Sequence, residues 1–271
     1  MEIIDSFLLG LIQGLTEFLP ISSSGHLVLG KEMLGGDFEQ NITFEVVVHF
    51  GTLCSIFLYY KKEIGAILSS LWALARNPSQ IQQRYKTDNN IKLSWFILIS
   101  MIPAAIVGMT MEEMIENIFL NPFPVSVMLL VTGVILYSTR FRREHPNHLT
   151  AGSAFGIGLA QAFAILPGIS RSGSTISLGL YLGIDREEVA NFSFLMVAPV
   201  IGGAMLLKTV EMSQAGVPFD TLFGLIIGFV TSFVSGYFAL KYLIILLRNK
   251  GIHPFAWYCW IIGIIGIVYF W

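Results

Sequence analysis

The feature that most constrains the fold is a series of six apolar stretches, each long enough to cross a membrane as a helix. About 20 apolar residues in helical form span a hydrocarbon core of about 30 Å. Charged residues make up only 13% of the 271 residues, whereas a soluble domain carries about a quarter. The pattern predicts an all-α polytopic membrane protein. The predicted transmembrane helices are residues 42–60, 91–111, 123–139, 187–209, 220–247 and 254–271.

The overall charge limits the partners that the sequence suggests. The net charge is −2, which gives no reason to expect a nucleic-acid partner. The partner that the composition does predict is the membrane bilayer itself. The oligomeric state is left open, with a homodimer as one option.

Two further apolar stretches are interrupted by polar and helix-breaking residues. Residues 3–34 contain Pro20 and then a serine run, and residues 150–183 contain Pro167-Gly168 and then Ser170-Arg171-Ser172-Gly173. Backbone that is not helical is tolerated at membrane depth only where protein covers it or where it lines a wet cavity. Each stretch is therefore predicted to form two short helices that meet at a polar break, as a re-entrant hairpin.

The two breaks are related by an internal repeat. Ser22 and Gly25 match Ser170 and Gly173 at an offset of 148 positions, with similar residues upstream. The single membrane domain, residues 1–271, is thus predicted to have a first half at 1–139 and a second half at 150–271. Each half holds one hairpin followed by three spans, and an odd number of spans makes the two halves run in opposite directions.

The distribution of charge supports this inverted repeat and sets its orientation. Basic residues are concentrated in the loops that the repeat places on one side, which is the cytoplasmic side under the positive-inside rule. The first hairpin then enters from outside, the second from the cytoplasm, and their tips meet near the midplane. The basic residues are Lys61, Lys62, Arg76, Arg84, Lys86, Lys92, Arg140, Arg142, Arg143, Arg186, Arg248 and Lys250. The opposite side carries Asp37, Glu39, Glu112, Glu113 and Glu116, with Lys31 and Lys208 nearby.

The first hairpin carries polar residues suited to a reaction. Gln13 and Glu17 are four positions apart and share one helix face, and a carboxylate inside the membrane marks either a site or a buried pair. A serine-rich break that opens a helix offers amide and hydroxyl donors to an anion. His26 has the spacing to act as a base on the hydroxyl of Ser22 or Ser23. The more ordinary interpretations are a helix–helix hydrogen bond for Gln13 and a core histidine for His26.

Arg171 is the most informative residue of the second hairpin, because it is the only Arg or Lys in either break. A guanidinium in a desolvated pocket pairs best with a planar or tetrahedral oxyanion, and phosphate fits it in a bidentate manner. The alternative is a structural ion pair with Glu17.

Other polar residues receive structural interpretations. We expect Ser24 to be the N-cap of its helix and His49 to be a packed, hydrogen-bonded histidine. Glu45 is a secondary candidate for the site. The aromatic residues near the C-terminus, including Tyr258, are expected to anchor the chain at the membrane interface.

The two breaks also resemble known signatures. Residues 13–26, QGLTEFLPISSSGH, and residues 167–175, PGISRSGST, are similar to the two motifs of the bacterial undecaprenyl-pyrophosphate phosphatase family, which is associated with bacitracin resistance. The resemblance covers the whole chain. It implies removal of the terminal phosphate of a polyprenyl pyrophosphate lipid, a divalent metal (Mg²⁺ or Ca²⁺), and a place in the bacterial plasma membrane. The distribution of charge favours a site that is reached from the periplasmic side.

The resemblance and the residue chemistry together predict roles for the site residues. Glu17 is the main carboxylate and holds the metal, with Gln13 at the second metal position. Ser23 is the predicted nucleophile with His26 as its base, Ser22 is the second choice, and direct attack by water is an alternative. Arg171 is expected to cradle the phosphates. The predicted substrate-binding residues are Ser22, Ser170, Ser172, Gly173 and Thr175.

A transporter or flippase for a phosphorylated polyprenol is the alternative function. Inverted repeats with broken helices at the midplane are typical of secondary carriers, and such a carrier would also use a phosphate-binding arginine. A carrier does not require a nucleophile, a base and a carboxylate to be clustered, so the sequence favours the hydrolase.

Overall fold

The protein is described by a computed structural model that covers residues 3–34, 42–142, 147–215 and 222–271. Its regular structure in these ranges is helical, apart from one isolated bridge between Asn147 and Ile184. Two short 3₁₀ segments, Pro78–Gln80 and Thr139–Phe141, adjoin the α-helices. The α-helices are α1 (Ile3–Phe18), α2 (Ser23–Leu34), α3 (Ile42–Tyr59), α4 (Lys61–Arg76), α5 (Ile81–Thr87), α6 (Asn89–Thr110), α7 (Glu112–Phe119), α8 (Pro122–Ser138), α9 (Ala151–Phe163), α10 (Arg171–Tyr181), α11 (Arg186–Ala215), α12 (Leu222–Asn249) and α13 (Phe255–Phe270).

Three helical segments among the described residues are long and apolar enough to cross a membrane. They are Asn89–Thr110, Pro122–Phe141 and Leu222–Asn249. A fourth candidate is the pair formed by α3 and α4, which bend by 80° relative to each other. Helices α9 and α13 are apolar but shorter.

These segments coincide with part of the predicted span layout. The predicted spans at 91–111, 123–139 and 220–247 correspond to the three long apolar segments, although residues 220 and 221 lie outside the described ranges. The spans at 42–60, 187–209 and 254–271 correspond to α3, α11 and α13, and their membrane crossing stays a prediction. Asp37, Glu39 and Arg143 of the charge argument also lie outside the described ranges.

Several helices bury small and polar residues while they expose large apolar ones. On α12, Ser232 is fully buried and Ser235 nearly so, whereas Phe238 is 62% exposed. Val268 on α13 is 75% exposed. A soluble protein rarely exposes contiguous apolar surface on this scale. The pattern fits helices whose outer faces contact lipid.

Helix α12 packs against α1 and α3 through small residues. A Cβ added to Gly14 would lie 2.5 Å from the Ser232 carbonyl oxygen, and one added to Gly51 would lie 2.7 Å from the Phe229 carbonyl oxygen. Such close backbone approach is typical of helix packing in membranes, where small residues form the contact. The packing holds the end of α1, and with it Glu17, inside the bundle.

Candidate active site

The first break lies between the end of α1 at Phe18 and the start of α2 at Ser23. Ser22 has a positive φ of 70°, a conformation that is uncommon for residues other than glycine. Its hydroxyl accepts a hydrogen bond from the amide of Gly25 at 3.2 Å. Ser22 is therefore the N-cap of α2, and the prediction that Ser24 caps this helix is wrong.

The second break has the same cap at the equivalent positions. The hydroxyl of Ser170 accepts a hydrogen bond from the amide of Gly173 at 3.1 Å, and α10 begins at Arg171. Gly168, two residues before the cap, has a positive φ of 93°. The chain thus turns sharply before Arg171 and places this residue in the first turn of a helix.

The two breaks are in direct contact. A Cβ added to Gly25 would lie 3.2 Å from the Cα of Gly168, so the backbones approach closely. The hydroxyl of Ser172 also donates to the carbonyl oxygen of Leu19 at 3.4 Å. Residues that are far apart in sequence are therefore brought together at one point inside the helical bundle.

Glu17 lies at the centre of this contact, and its side chain is only 3% exposed. Its Oε1 accepts a hydrogen bond from Nη2 of Arg171 at 2.7 Å. Its Oε2 accepts from the Ser23 hydroxyl at 2.7 Å and from Nε2 of Gln13 at 2.9 Å. The structural ion pair considered from the sequence is therefore present, and it lies within a larger polar cluster.

The environment of the two candidate serines differs. The Ser22 hydroxyl is used as a helix cap, and Ser22 is 3% exposed. Ser23 is partly exposed and donates its hydroxyl hydrogen directly to Glu17. A hydroxyl that already donates to a carboxylate is oriented to lose its proton as it attacks, so the geometry favours Ser23 over Ser22.

His26 makes contacts other than the predicted one to the serine hydroxyl. Its Nδ1 lies 2.8 Å from the carbonyl oxygen of Ser22, and its Nε2 lies 2.9 Å from the hydroxyl of Tyr258. A carbonyl can only accept, so Nδ1 carries the hydrogen and Nε2 is the basic nitrogen. The carboxylate of Glu17, rather than His26, is the proton acceptor that contacts Ser23.

The predicted substrate-binding residues of α10 differ in whether the structure places them at the contact between the breaks. Ser172 lies at the contact between the breaks, whereas Thr175 is fully buried and its hydroxyl lies 2.6 Å from that of Ser193. The amide of Gly173 is occupied by the cap of Ser170. The amides of Arg171 and Ser172 lie just before that of Gly173, in the first turn of α10. Backbone amides in the first turn of a helix have no acceptor within the helix.

The structure adds two residues to the site that the sequence analysis assigned elsewhere. His49 has the hydrogen bond expected of a packed histidine, with its Nδ1 2.8 Å from the Glu45 carbonyl oxygen, but its Nε2 also lies 3.9 Å from Oε2 of Glu17. Tyr258, interpreted as an interfacial anchor, contacts His26. Glu45, the secondary candidate, instead forms an ion pair with Lys31. The only sequence signal for His49 was its position in an apolar span, which is also typical of structural histidines.

The described residues around Glu17 do not complete a metal site by themselves. Within the described ranges, no three His, Cys, Asp or Glu side chains come together as a metal-binding group. However, Oε1 of Gln13 is buried and has no hydrogen-bond partner, and it belongs to the side chain that contacts Glu17. An amide oxygen next to a carboxylate suits Mg²⁺ or Ca²⁺, provided that phosphate oxygens and water supply the other ligands.

The cluster as a whole combines three chemical functions in one partly desolvated place. It contains a guanidinium that can bind an oxyanion, a hydroxyl that can act as a nucleophile, and a carboxylate that contacts both. This set of groups suits phosphoryl transfer, in which positioning and charge stabilisation provide most of the catalysis.

Comparison with known proteins gives consistent matches over nearly the whole chain. The profile of the family described as "Bacitracin resistance protein BacA" matches residues 6–265. A protein of Salinibacter ruber named undecaprenyl-diphosphatase is 42% identical, with 97% of each chain covered. Proteins of the same name from Halothermothrix orenii and Desulforapulum autotrophicum are 41% and 38% identical, and in both cases 99% of this chain and 98% of the relative are covered.

Proposed function

Because the chain belongs to the bacitracin resistance protein BacA family, we propose that it removes the terminal phosphate of undecaprenyl pyrophosphate and yields undecaprenyl phosphate. The relatives that match over nearly their full length carry the name undecaprenyl-diphosphatase. The lipid product would be recycled as a carrier for cell-wall synthesis.

The observation that carries this proposal is the contact of Glu17 with both Arg171 and Ser23. A purely structural ion pair would not need a nucleophilic hydroxyl on the same carboxylate. The contact to Glu17 is made by Nη2 of Arg171, and a guanidinium has five N–H donors in all. Donors therefore remain for the phosphates of a substrate.

In the proposed reaction, the Ser23 oxygen attacks the terminal phosphorus and its proton passes to Glu17. The bond between that phosphorus and the bridging oxygen breaks, so undecaprenyl phosphate leaves and phosphoserine remains. Water then attacks the phosphoserine, and the bond between phosphorus and the serine oxygen breaks. The proton on Glu17 returns to that oxygen, which restores the hydroxyl as inorganic phosphate leaves. Arg171 neutralises charge on the phosphoryl oxygens throughout.

We also propose a divalent cation at this site. Arg171 is already paired with Glu17, so the described residues offer little net positive charge to a pyrophosphate. Glu17 and Oε1 of Gln13 would hold the ion. When bound, the ion would supply the additional positive charge that a pyrophosphate requires.

The arrangement in the membrane follows from the same reasoning. We propose that α1–α2 and α9–α10 are re-entrant hairpins within two inverted halves, residues 1–139 and 150–271, accompanied by six transmembrane helices. The matching serine caps at both breaks and the contact between Gly25 and Gly168 support this arrangement. The protein would lie in the bacterial plasma membrane, with the site reached from the periplasmic side.

Phosphate release by the purified protein in detergent tests the proposed function. Undecaprenyl pyrophosphate should yield one inorganic phosphate and one undecaprenyl phosphate for each substrate consumed. Detergent micelles allow no vectorial transport, so a pure carrier would release no phosphate. A result of that kind would favour the alternative function, the translocation of a phosphorylated polyprenol. Removing divalent ions with a chelator should reduce the rate, and adding Mg²⁺ or Ca²⁺ should restore it.

A further inference from the structure

We propose that Thr132 is a positioning residue that holds Arg171 in place for the proposed reaction. This inference rests on the proposed function and adds a residue from outside both sequence motifs. Thr132 lies in the middle of α8 and is only 1% exposed. Its hydroxyl donates to the carbonyl oxygen of Gly168 at 2.8 Å and accepts from the amide of Ser170 at 3.0 Å.

These two hydrogen bonds hold the chain on both sides of Ile169, immediately before Arg171. Both backbone groups lie in a break, where no helix supplies them with partners, and Ser170 is buried. Buried backbone groups without partners are destabilising. One hydroxyl therefore satisfies a donor and an acceptor, and it fixes the direction in which α10 begins.

The hydrogen bonds of Thr132 differ from those of hydroxyls that bond only within their own helix. Ser126 on the same helix donates to the carbonyl oxygen of Pro122, and Thr110 on α6 donates to that of Ile106. Such bonds to the preceding turn are the usual solution for Ser and Thr in helices. Thr132 instead reaches out of its helix to the break that carries Arg171.

The face of α8 around Thr132 contacts both breaks. Two turns before Thr132, the Val125 carbonyl oxygen would lie 2.3 Å from a Cβ on Gly168. One turn before it, the side chain of Leu129 would lie 3.3 Å from a Cβ on Gly25. Both breaks therefore pack against one face of helix α8, and this face fixes their position relative to each other. A shift of the second break along this surface would move Arg171 relative to Glu17, which it contacts at 2.7 Å.

The test compares Thr132→Val with Thr132→Ser. Valine has the same shape but removes both hydrogen bonds, whereas serine keeps the hydroxyl. Misplacement of a catalytic group by 1 Å lowers a rate by about 100-fold, so we expect the valine variant to lose kcat by about this factor with a smaller change in KM. The serine variant should recover most of the activity.

Thr139→Val is the matched control. Thr139 is also buried, and its hydroxyl donates to Leu136 within its own segment. This variant undergoes the same chemical change without removing a hydrogen bond to either break, so it should retain kcat. The inference is overturned if the two valine variants have the same kcat, or if Thr132→Ser is as impaired as Thr132→Val.

Two further measurements separate positioning from a general loss of structure. In an Arg171→Lys background, Thr132→Val should cause a much smaller additional loss than in the wild type, because its effect passes through Arg171. Independent, additive losses would contradict the inference. If Thr132→Val is not recovered folded, Thr132→Ala, which leaves room for a water molecule, should show the same pattern of losses.

Hydrogen exchange gives a readout that does not depend on activity. The amide of Ser170 donates to Thr132, so peptides covering residues 165–175 should exchange faster in Thr132→Val than in the wild type. Unchanged exchange would refute the role of Thr132. If exchange increases but the wild-type protein releases no phosphate, then the proposed function fails while the structural role of Thr132 stands.

Discussion

Replacing Arg171 by alanine should separate the catalytic role of the guanidinium from its role in stability. The side chain of Glu17 is 3% exposed, and that of Arg171 is 28% exposed. Removing one partner of a buried ion pair costs about 3–5 kcal/mol, because the other charge stays buried. Gln13 and Ser23 still donate to Glu17, so we expect a loss near the lower end, about 3 kcal/mol.

The loss of turnover should be larger than the loss of stability. A second substitution that restores the stability should not restore the turnover. An arginine that stabilises the charge of a phosphoryl-transfer transition state contributes about 10³-fold or more to the rate. Adding Glu17→Gln to Arg171→Ala removes the orphaned charge, so the double variant should recover most of the lost stability. Its turnover should stay at the level of the single variant or lower.

The assay measures two quantities on each purified variant in detergent. These are the midpoint of thermal unfolding and the initial rate of phosphate release from undecaprenyl pyrophosphate. Arg171→Lys is the control, because lysine keeps the charge beside Glu17 but lacks the planar fork of donors. A folded Arg171→Ala protein with near-normal turnover would refute the reasoning. A double variant that regains turnover as well as stability would do the same.

Three more substitutions test individual parts of the site. Ser23→Ala should abolish turnover, and acid quenching during turnover should then trap no phosphoenzyme carrying labelled phosphate. The neighbouring Ser24→Ala variant should retain both the turnover and the phosphoenzyme. A phosphoenzyme in Ser23→Ala would show that another residue is the nucleophile. Gly168→Ala should lower stability by at least about 2 kcal/mol, because its φ is 93° and the new Cβ would lie 2.3 Å from a backbone oxygen; an unchanged unfolding midpoint would contradict the close approach. Tyr258→Phe should reduce turnover by about two- to tenfold, the value of one hydrogen bond, by removing the donor to Nε2 of His26; rates equal to the wild type would show that this contact has no role.

The sequence predicted the helical breaks because each combines proline or glycine with a run of polar residues. Proline alone is not sufficient, since Pro103 lies inside α6 and Pro199 inside α11. Pro20 and Gly168 lie in the two breaks, and the helices on either side fall within the predicted stretches 3–34 and 150–183. The two breaks were expected to bring Arg171 near Glu17, but a direct ion pair between them was only the alternative interpretation of Arg171, and the structure contains it. The serine cap was assigned to the wrong residue, because nothing in a run of three serines indicates which one adopts a positive φ.

The parts of the site that the sequence did not predict depend on contacts between distant elements. Tyr258 is 232 positions from His26, and aromatic residues near the end of a membrane helix are more often anchors than site residues. Thr132 lies 38 positions before Ser170 in an apolar helix without other site residues. Only the packing of α13 and α8 against the breaks gives these residues their contacts.

The most direct test of the central claim is the structure of the protein with a non-hydrolysable methylene analogue of the pyrophosphate lipid. The central claim is that the two breaks together form one phosphate site. The terminal phosphate should therefore lie within hydrogen-bonding distance of Arg171, with its phosphorus about 3–3.5 Å from the Ser23 oxygen, as a reactive arrangement requires. Phosphates bound elsewhere, with Arg171 still paired to Glu17 and distant from the ligand, would contradict the account.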